Sequence, residues 1–238
     1  ICKDVVWVPT SQALVDKMLD TAKLTASDVH MDLGSGDGRT VITAAKRGAH
    51  STGIEYNPDM VELSKQNAAK AGVTDKATFI KADLFETDFS KATVITLFLL
   101  PDINLKLRPR ILDLKPGTRI VSNTFTMGEW KDDETVTVDE AAGCSYYCTA
   151  HLWIVPAKVA GTWHSEQGDL ALKQEFQMIQ GSMKSGSENH AISNAKLRAD
   201  QISFNAGNAS FAGRVNGNTI EGTVTSGGKS TKWTATRK

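Results

Sequence analysis

Residues Val29 to Arg39 read VHMDLGSGDGR. An apolar segment runs into Asp32 and then into a loop with glycines at positions 34, 36 and 38. A helical pattern, Val41, Ile42, Ala44 and Ala45, begins immediately after it. Strand, glycine loop and helix in this order open a nucleotide-cofactor α/β fold. The glycines permit a tight turn and a close backbone approach to a bulky ligand.

The flanking sequence repeats the theme. Val5 to Pro9 is an apolar lead-in, and Thr10 or Ser11 can cap a helix whose stripe is Leu14, Val15, Met18, Leu19 and Ala22. After the loop, the pattern predicts a helix from Arg39 to Arg47 stopped by Gly48 and a strand from Ser51 to Asn57. A helix opened by Pro58 and closed by Gly72 follows, then a strand from Ala77 to Asp83. Ala92 to Leu100 reads ATVITLFLL and suits a buried central strand. A helix from Pro101, a strand from Thr118 to Asn123, and strands at 135–139 and 149–155 complete the first region. The fold class expected is α/β, a Rossmann-like seven-stranded, mostly parallel sheet with helices on both faces and an antiparallel hairpin at one edge.

The texture changes after Pro156. Residues 157–238 contain no proline and 10 of the 19 glycines. Alternating runs at 170–176, 201–204, 210–215, 219–224 and 232–236 are separated by turn signals such as Asn216-Gly217-Asn218. This predicts a C-terminal antiparallel β meander or small barrel, with domains at 1–156 and 157–238. The second region carries 10 Lys+Arg against 6 Asp+Glu, which reads as a solvated surface.

Composition narrows the function classes. The 238 residues are 40% hydrophobic with a formal net charge of +0, so no overall field recruits nucleic acid or an anionic membrane. No apolar run approaches the roughly 18 residues of a membrane span. The chain begins at Ile1, which is not the small residue expected before a lipid-anchored cysteine at Cys2. A cytoplasmic location is expected, or export if a signal peptide preceded Ile1. Five scattered histidines give no metal-ligand spacing, and no metal is expected. On one extended strand Cys144 and Cys148 would stand about 13 Å apart. A disulfide needs Cα atoms within about 7 Å, so two isolated thiols are expected unless the chain turns at Ser145-Tyr146. No Ser-His-Asp or Cys-His arrangement stands out, and no catalytic residue is assigned.

Three ligands compete for the glycine loop: a dinucleotide, a phosphate group and S-adenosylmethionine. A phosphate loop needs a lysine after its last glycine, where Arg39-Thr40 stands. A pyrophosphate loop leaves the helix start free of negative charge, yet Asp32 and Asp37 flank this one. Acidic residues suit a ligand carrying an ammonium and a sulfonium, which selects S-adenosylmethionine. Glu55, 17 residues after Gly38, ends the second strand where a carboxylate can accept from both ribose hydroxyls. Asp83 ends the third strand and can accept from the adenine amino group, with Leu84 or Phe85 on one ring face and Tyr56 on the other.

DLGSGDG, GIEYNP, KADLFE and TLFLLP together resemble the class I S-adenosylmethionine-dependent methyltransferases, over roughly Val6 to Pro156. VPT near Pro9 with DLGSGDGR and TLFLLP is similar to the branch of mitochondrial lysine methyltransferases acting on ATP synthase c-subunit and adenine nucleotide translocase. The resemblance implies a seven-stranded sheet and points to a lysine amine as acceptor. Two features depart from it: the membrane-anchoring segment of that branch is not seen here, and the β region resembles no family. The expected cofactor site is Thr10, Asp32, Gly34, Ser35, Gly36, Asp37, Gly38, Glu55, Tyr56, Asn57, Asp83, Leu84 and Phe98. The expected acceptor pocket is Trp7, Leu100, Pro101, Asn123 and Trp130, with Phe98 facing it too. A protein lysine stands ahead of a small-molecule amine as acceptor, and no nucleic acid is expected. The alternative is a non-catalytic S-adenosylmethionine-binding module whose β domain recognises a partner.

Overall fold

Why the glycine loop sits where it does follows from the strands around it. The computed structural model describes residues 6–238, so the expectations for Cys2 and Val5 fall outside the described residues. The chain divides into two compact units, residues up to Leu114 with Thr118–Trp153, and Lys115–Gly117 with Ile154–Lys238.

The first unit is built on seven strands: β1 (Val29–Leu33), β2 (His50–Glu55), β3 (Ala77–Lys81), β4 (Val94–Leu97), β5 (Arg119–Asn123), β6 (Glu134–Thr137) and β7 (Thr149–Ile154). Their order is β3-β2-β1-β4-β5-β7-β6, with β1 between β2 and β4 in parallel register and β6 antiparallel to β7 at the edge. Strand order reverses beside β1, the place where such sheets bind ligands beyond the strand ends. Register pairs Asp32 with Gly53 on one side and with Thr96 on the other.

Four helices pack on this sheet: α1 (Gln12–Thr21), α2 (Arg39–Lys46), α3 (Pro58–Ala71) and α4 (Pro101–Leu112). The Ser11 hydroxyl accepts from the Leu14 amide and starts α1, whose buried stripe is Leu14, Val15, Met18 and Leu19. Gly38, at φ +83°, is the residue before α2, and a Cβ there would lie 2.7 Å from the Phe79 ring. Asn57 accepts from the Asp59 amide to start α3, and Gly72 ends it at φ +69°. Two buried tryptophans pack together in this unit. Trp130 and Trp153 are each 0% exposed, their rings stand 6.2 Å apart, and the Trp153 indole donates to the Trp130 carbonyl over 2.7 Å.

The second unit is a closed barrel of eight strands in consecutive order: β8 (Gly161–Ser165), β9 (Gly168–Glu175), β10 (Met178–Ser185), β11 (Glu188–Arg198), β12 (Gln201–Ala206), β13 (Ala209–Asn216), β14 (Thr219–Ser226) and β15 (Lys229–Arg237). β15 pairs back onto β8, so no strand edge is left open. Inside it Trp163, Phe204, Phe211 and Trp233 are buried, and the Phe204 and Phe211 rings stack at 4.9 Å. Eight strands enclose an interior that side chains just fill.

One expectation is overturned here. Cys144 and Cys148 form a disulfide with their Cα atoms 5.7 Å apart. The chain is not extended between them. It turns, and Tyr147 adopts φ +53° to close the loop. Among the described residues, no helix is long and apolar enough to cross a membrane.

Candidate active site

The ends of β1, β2 and β4, the loops after β3 and β5, and the lead-in Val6 to Thr10 enclose a cavity of about 1190 Å³. Of the residues expected from sequence, Thr10, Asp32, Gly34, Ser35, Asp37, Glu55, Tyr56, Asp83, Leu84, Phe98, Trp7, Leu100 and Pro101 line it.

Asp32 lies at its floor. Its Oδ1 accepts from Thr96 Oγ1 at 2.6 Å, and the Thr96 oxygen meets His30 Nε2 at 2.8 Å. His30 Nδ1 meets Ser51 Oγ at 2.6 Å. The Thr96 hydroxyl has one hydrogen. When it goes to an ionised Asp32, His30 must donate from Nε2 and accept at Nδ1 from Ser51. Burial lowers the His30 pKa to about 3, so the ring is neutral. Burial also raises the Asp32 pKa to about 7, against the Thr96 hydrogen bond and with help from the Glu55 and Asp37 carboxylates.

Glu55 reaches back onto the loop. Its Oε2 accepts from the Gly36 amide at 2.9 Å and its Oε1 from the Asn57 amide at 3.0 Å. A carboxylate has about four acceptor positions, so capacity remains for ligand hydroxyls. Asp83 Oδ1 accepts from the Phe85 amide at 2.8 Å. Arg110 of α4 holds this loop by donating to the Phe85 carbonyl at 2.8 Å and stacking on Phe89 at 4.3 Å. The Ser35 hydroxyl is buried and finds no hydrogen-bond partner among the described residues. A carboxylate at each of three strand ends, a positive-φ glycine loop and a buried hydroxyl without a partner fit the polar groups of S-adenosylmethionine.

Asp37 has a different part from the one expected of it. Its carboxylate is forked by Arg39, with Arg39 Nη2 2.7 Å from Oδ2 and Nε 3.1 Å from Oδ1. Arg39 also donates to the Thr10 carbonyl at 2.8 Å. The pair offsets the charge of Asp37 and ties the lead-in to the loop.

Five expected residues do not line the cavity. Gly36 lies under Trp7, whose Nε1 would be 2.2 Å from a Cβ at that position. Gly38 lies under Phe79, and Asn57 caps α3. Asn123 is fully buried and donates to Thr10 Oγ1 at 3.1 Å, a fastening for the lead-in and not a pocket wall. Trp130 is buried against Trp153, because the turn after β5 folds its ring inward.

The cavity also holds residues the sequence did not single out. Asp102 in the first turn of α4, Lys106, Phe125 and Tyr147 all line it. Asp102 directly follows TLFLLP and could have been found there. Phe125 follows Thr124 at φ +63°, two residues beyond β5, and Asn104 donates to the Phe125 and Thr126 carbonyls at 3.4 and 3.2 Å. Tyr147 reaches the cavity through the disulfide loop. Among the described residues, no three His, Cys, Asp or Glu side chains are grouped to hold a metal.

Known proteins are similar to part of this chain. The ANTKMT methyltransferase domain matches residues 32–134. A protein-lysine N-methyltransferase of Saccharolobus islandicus (strain REY15A) is 42% identical over 137 residues, 56% of this chain and 85% of the relative. The lysine N-methyltransferase of Mus musculus named for the ATP synthase c-subunit is 37% identical over 106 residues, 44% of this chain and 43% of its own length. This chain thus spans less than half of the mouse relative. The crystal structure of an RNA methyltransferase from Salinibacter ruber in complex with S-adenosyl-L-homocysteine aligns with a TM-score of 0.59 at 47% identity, over 64% of this chain and 96% of that chain.

Proposed function

The chain belongs to the ANTKMT methyltransferase family, enzymes dependent on S-adenosylmethionine, and we propose that its methyl acceptor is the side-chain amine of a protein lysine. The supporting observation is the charge of the cavity. Among the described residues, its lining carries Asp32, Asp37, Glu55, Asp83 and Asp102 against Arg39 and Lys106. Removing the Asp37–Arg39 pair leaves Glu55, Asp83 and Asp102, joined by ionised Asp32 above about pH 7, against Lys106. Such a wall repels an acceptor carrying phosphates and draws in an ammonium. The names of similar proteins point both ways, to lysine and to RNA, and this wall favours lysine.

The bound cofactor supplies a methyl group on a sulfonium, already activated toward an amine. The protein's own residues bind, orient and exclude water. Asp32 would hold the cofactor's ammonium, Glu55 its ribose hydroxyls and Asp83 its adenine amino group, and Tyr56 and Leu84 would cover the adenine ring. Gly34 brings backbone close to the ligand. Lysine arrives as an ammonium and must lose a proton before its lone pair can act. Asp32, Glu55 and Asp83 serve the cofactor and Asp37 is paired with Arg39, which leaves Asp102 to take that proton and pass it to water.

Transfer of label from S-adenosylmethionine tests this reading. The expected result is label on lysine in a mixture of basic proteins, and none on total RNA in the same reaction. Label on RNA with none on lysine overturns the choice of acceptor.

A further inference from the structure

We infer that Phe98, Phe125 and Tyr147 form the subsite for the acceptor nitrogen and that it prefers a methylated ammonium, an inference resting on lysine as the acceptor. All three rings line the cavity. Their centroids make a triangle with sides of 6.2, 5.3 and 6.3 Å. Phe98 and Phe125 stack at 23°, and Tyr147 meets them at 60° and 48°, so the three rings pack on one another as one aromatic wall of the cavity. A cation seated over a triangle of this size lies within about 6 Å of each centroid, the reach of a cation–π contact.

The rings come from three separate parts of the chain. Phe98 follows β4 directly, Phe125 follows β5, and Tyr147 lies in the loop closed by Cys144 and Cys148. None belongs to the buried core: Phe98 and Phe125 are half-buried and Tyr147 is 45% exposed. Two of the three depend on left-handed backbone at a non-glycine residue, Thr124 before Phe125 and Tyr147 itself. Such backbone persists only where the surroundings enforce it, and it clusters at ligand sites. Here the enforcement is visible. Asn104 holds the Phe125 turn from α4, and the disulfide holds Tyr147.

The chemistry selects among amines. A primary ammonium offers three N–H donors and is strongly hydrated. Each added methyl removes a donor, spreads the charge and weakens hydration, so aromatic faces compete better with water. Quaternary and methylated ammonium groups are the cations that aromatic cages recognise. A lysine that has gained one methyl is therefore held for another round. Asp102, on the same cavity wall, supplies the matching potential.

Calorimetry on protein loaded with S-adenosyl-L-homocysteine tests the subsite directly. The probes are one peptide carrying lysine, dimethyllysine or the neutral all-carbon isostere of dimethyllysine. Dimethyllysine should bind about tenfold tighter than the isostere. Tyr147→Ala and Phe125→Ala should each remove most of that preference, and Tyr147→Phe should keep it. Affinity for S-adenosyl-L-homocysteine should be the same in all variants, which establishes that they are folded. Mass spectrometry of timed reactions should show higher methylation states with wild type and a halt at monomethyllysine with Tyr147→Ala. Equal binding of dimethyllysine and isostere by wild type overturns the subsite, as does a preference that survives Tyr147→Ala. Binding of adenosine in place of dimethyllysine also overturns it, in favour of base stacking. If wild type binds dimethyllysine through these rings yet methylates no lysine, the subsite stands and the choice of acceptor falls.

Discussion

Thr96 Oγ1 donates a 2.6 Å hydrogen bond to Asp32 Oδ1, and the same oxygen meets His30 Nε2 at 2.8 Å. The two residues are register partners on adjacent strands, so the bond is fixed by the sheet itself. It lies where Asp32 retains its proton up to about pH 7.

The sign of the stability effect follows from that value. The folded pKa of Asp32 lies above its ordinary 3.8, so its contribution is complete below 3.8 and is lost as pH rises through about 7. Asp32→Asn should raise the melting temperature of the ligand-free protein at about pH 8 and change it little at about pH 4. Thermal unfolding at both pH values checks this. A variant equally destabilised at both would refute a buried, costly charge.

Cofactor binding should run the other way with pH. An ammonium is held by ionised Asp32, so affinity for S-adenosyl-L-homocysteine should rise toward pH 7, by up to about tenfold per unit, and then level off. Asp32→Asn should flatten the profile and weaken binding at about pH 8. Calorimetry in buffers of different ionisation heat would also detect the proton released.

Asp102→Asn should lower kcat by about 100-fold with little change in affinity for S-adenosyl-L-homocysteine. Raising the pH should recover part of the loss, because more of the lysine then arrives uncharged. A pH profile identical to wild type would remove Asp102 from the proton path.

Reduction of Cys144–Cys148 should raise KM for a lysine peptide roughly threefold to tenfold as Tyr147 loses its fixed place. The Cys144→Ser, Cys148→Ser double variant should reproduce the effect without reductant. Binding of S-adenosyl-L-homocysteine should be unchanged in both cases, since the loop carries none of the strand-end carboxylates.

Trp130→Ala should destabilise the first unit by about 3–5 kcal/mol, the usual cost of emptying a fully buried aromatic site. Tyr147→Ala, at an exposed residue, should cost about 1 kcal/mol or less in the same urea titration. If the two variants were equally stable, Trp130 would have to be a pocket residue after all.

The α/β unit was largely legible because its strands are apolar and its breaks are marked by glycine and proline. The barrel was legible only where the alternation is strong. β10 and β11 bury Met183 and Leu197 but few other side chains, so their patterns are faint in sequence. Within the site, Asp32, Glu55 and Asp83 could be read from strand ends. Tyr147 could not, because its place depends on a covalent closure that an extended-chain estimate argued against. The Asp37–Arg39 pair was hidden for another reason. Two residues of opposite charge near each other in sequence either neutralise or ignore one another, and only the fold of the loop decides. Trp130 misled because position after a strand says nothing about which way a ring turns.

The pairing of β15 with β8 carries a consequence for synthesis. Arg237 pairs with Trp163 and Ala235 with Ser165, so the first strand of the barrel waits for the last. β15 must leave the ribosome before β8 gains its second neighbour, whereas the sheet bearing the glycine loop has all its strands by Ile154. During translation the barrel is thus completed after the sheet, and a pause between β14 and β15 would leave a finished sheet joined to an open meander with two unpaired edges.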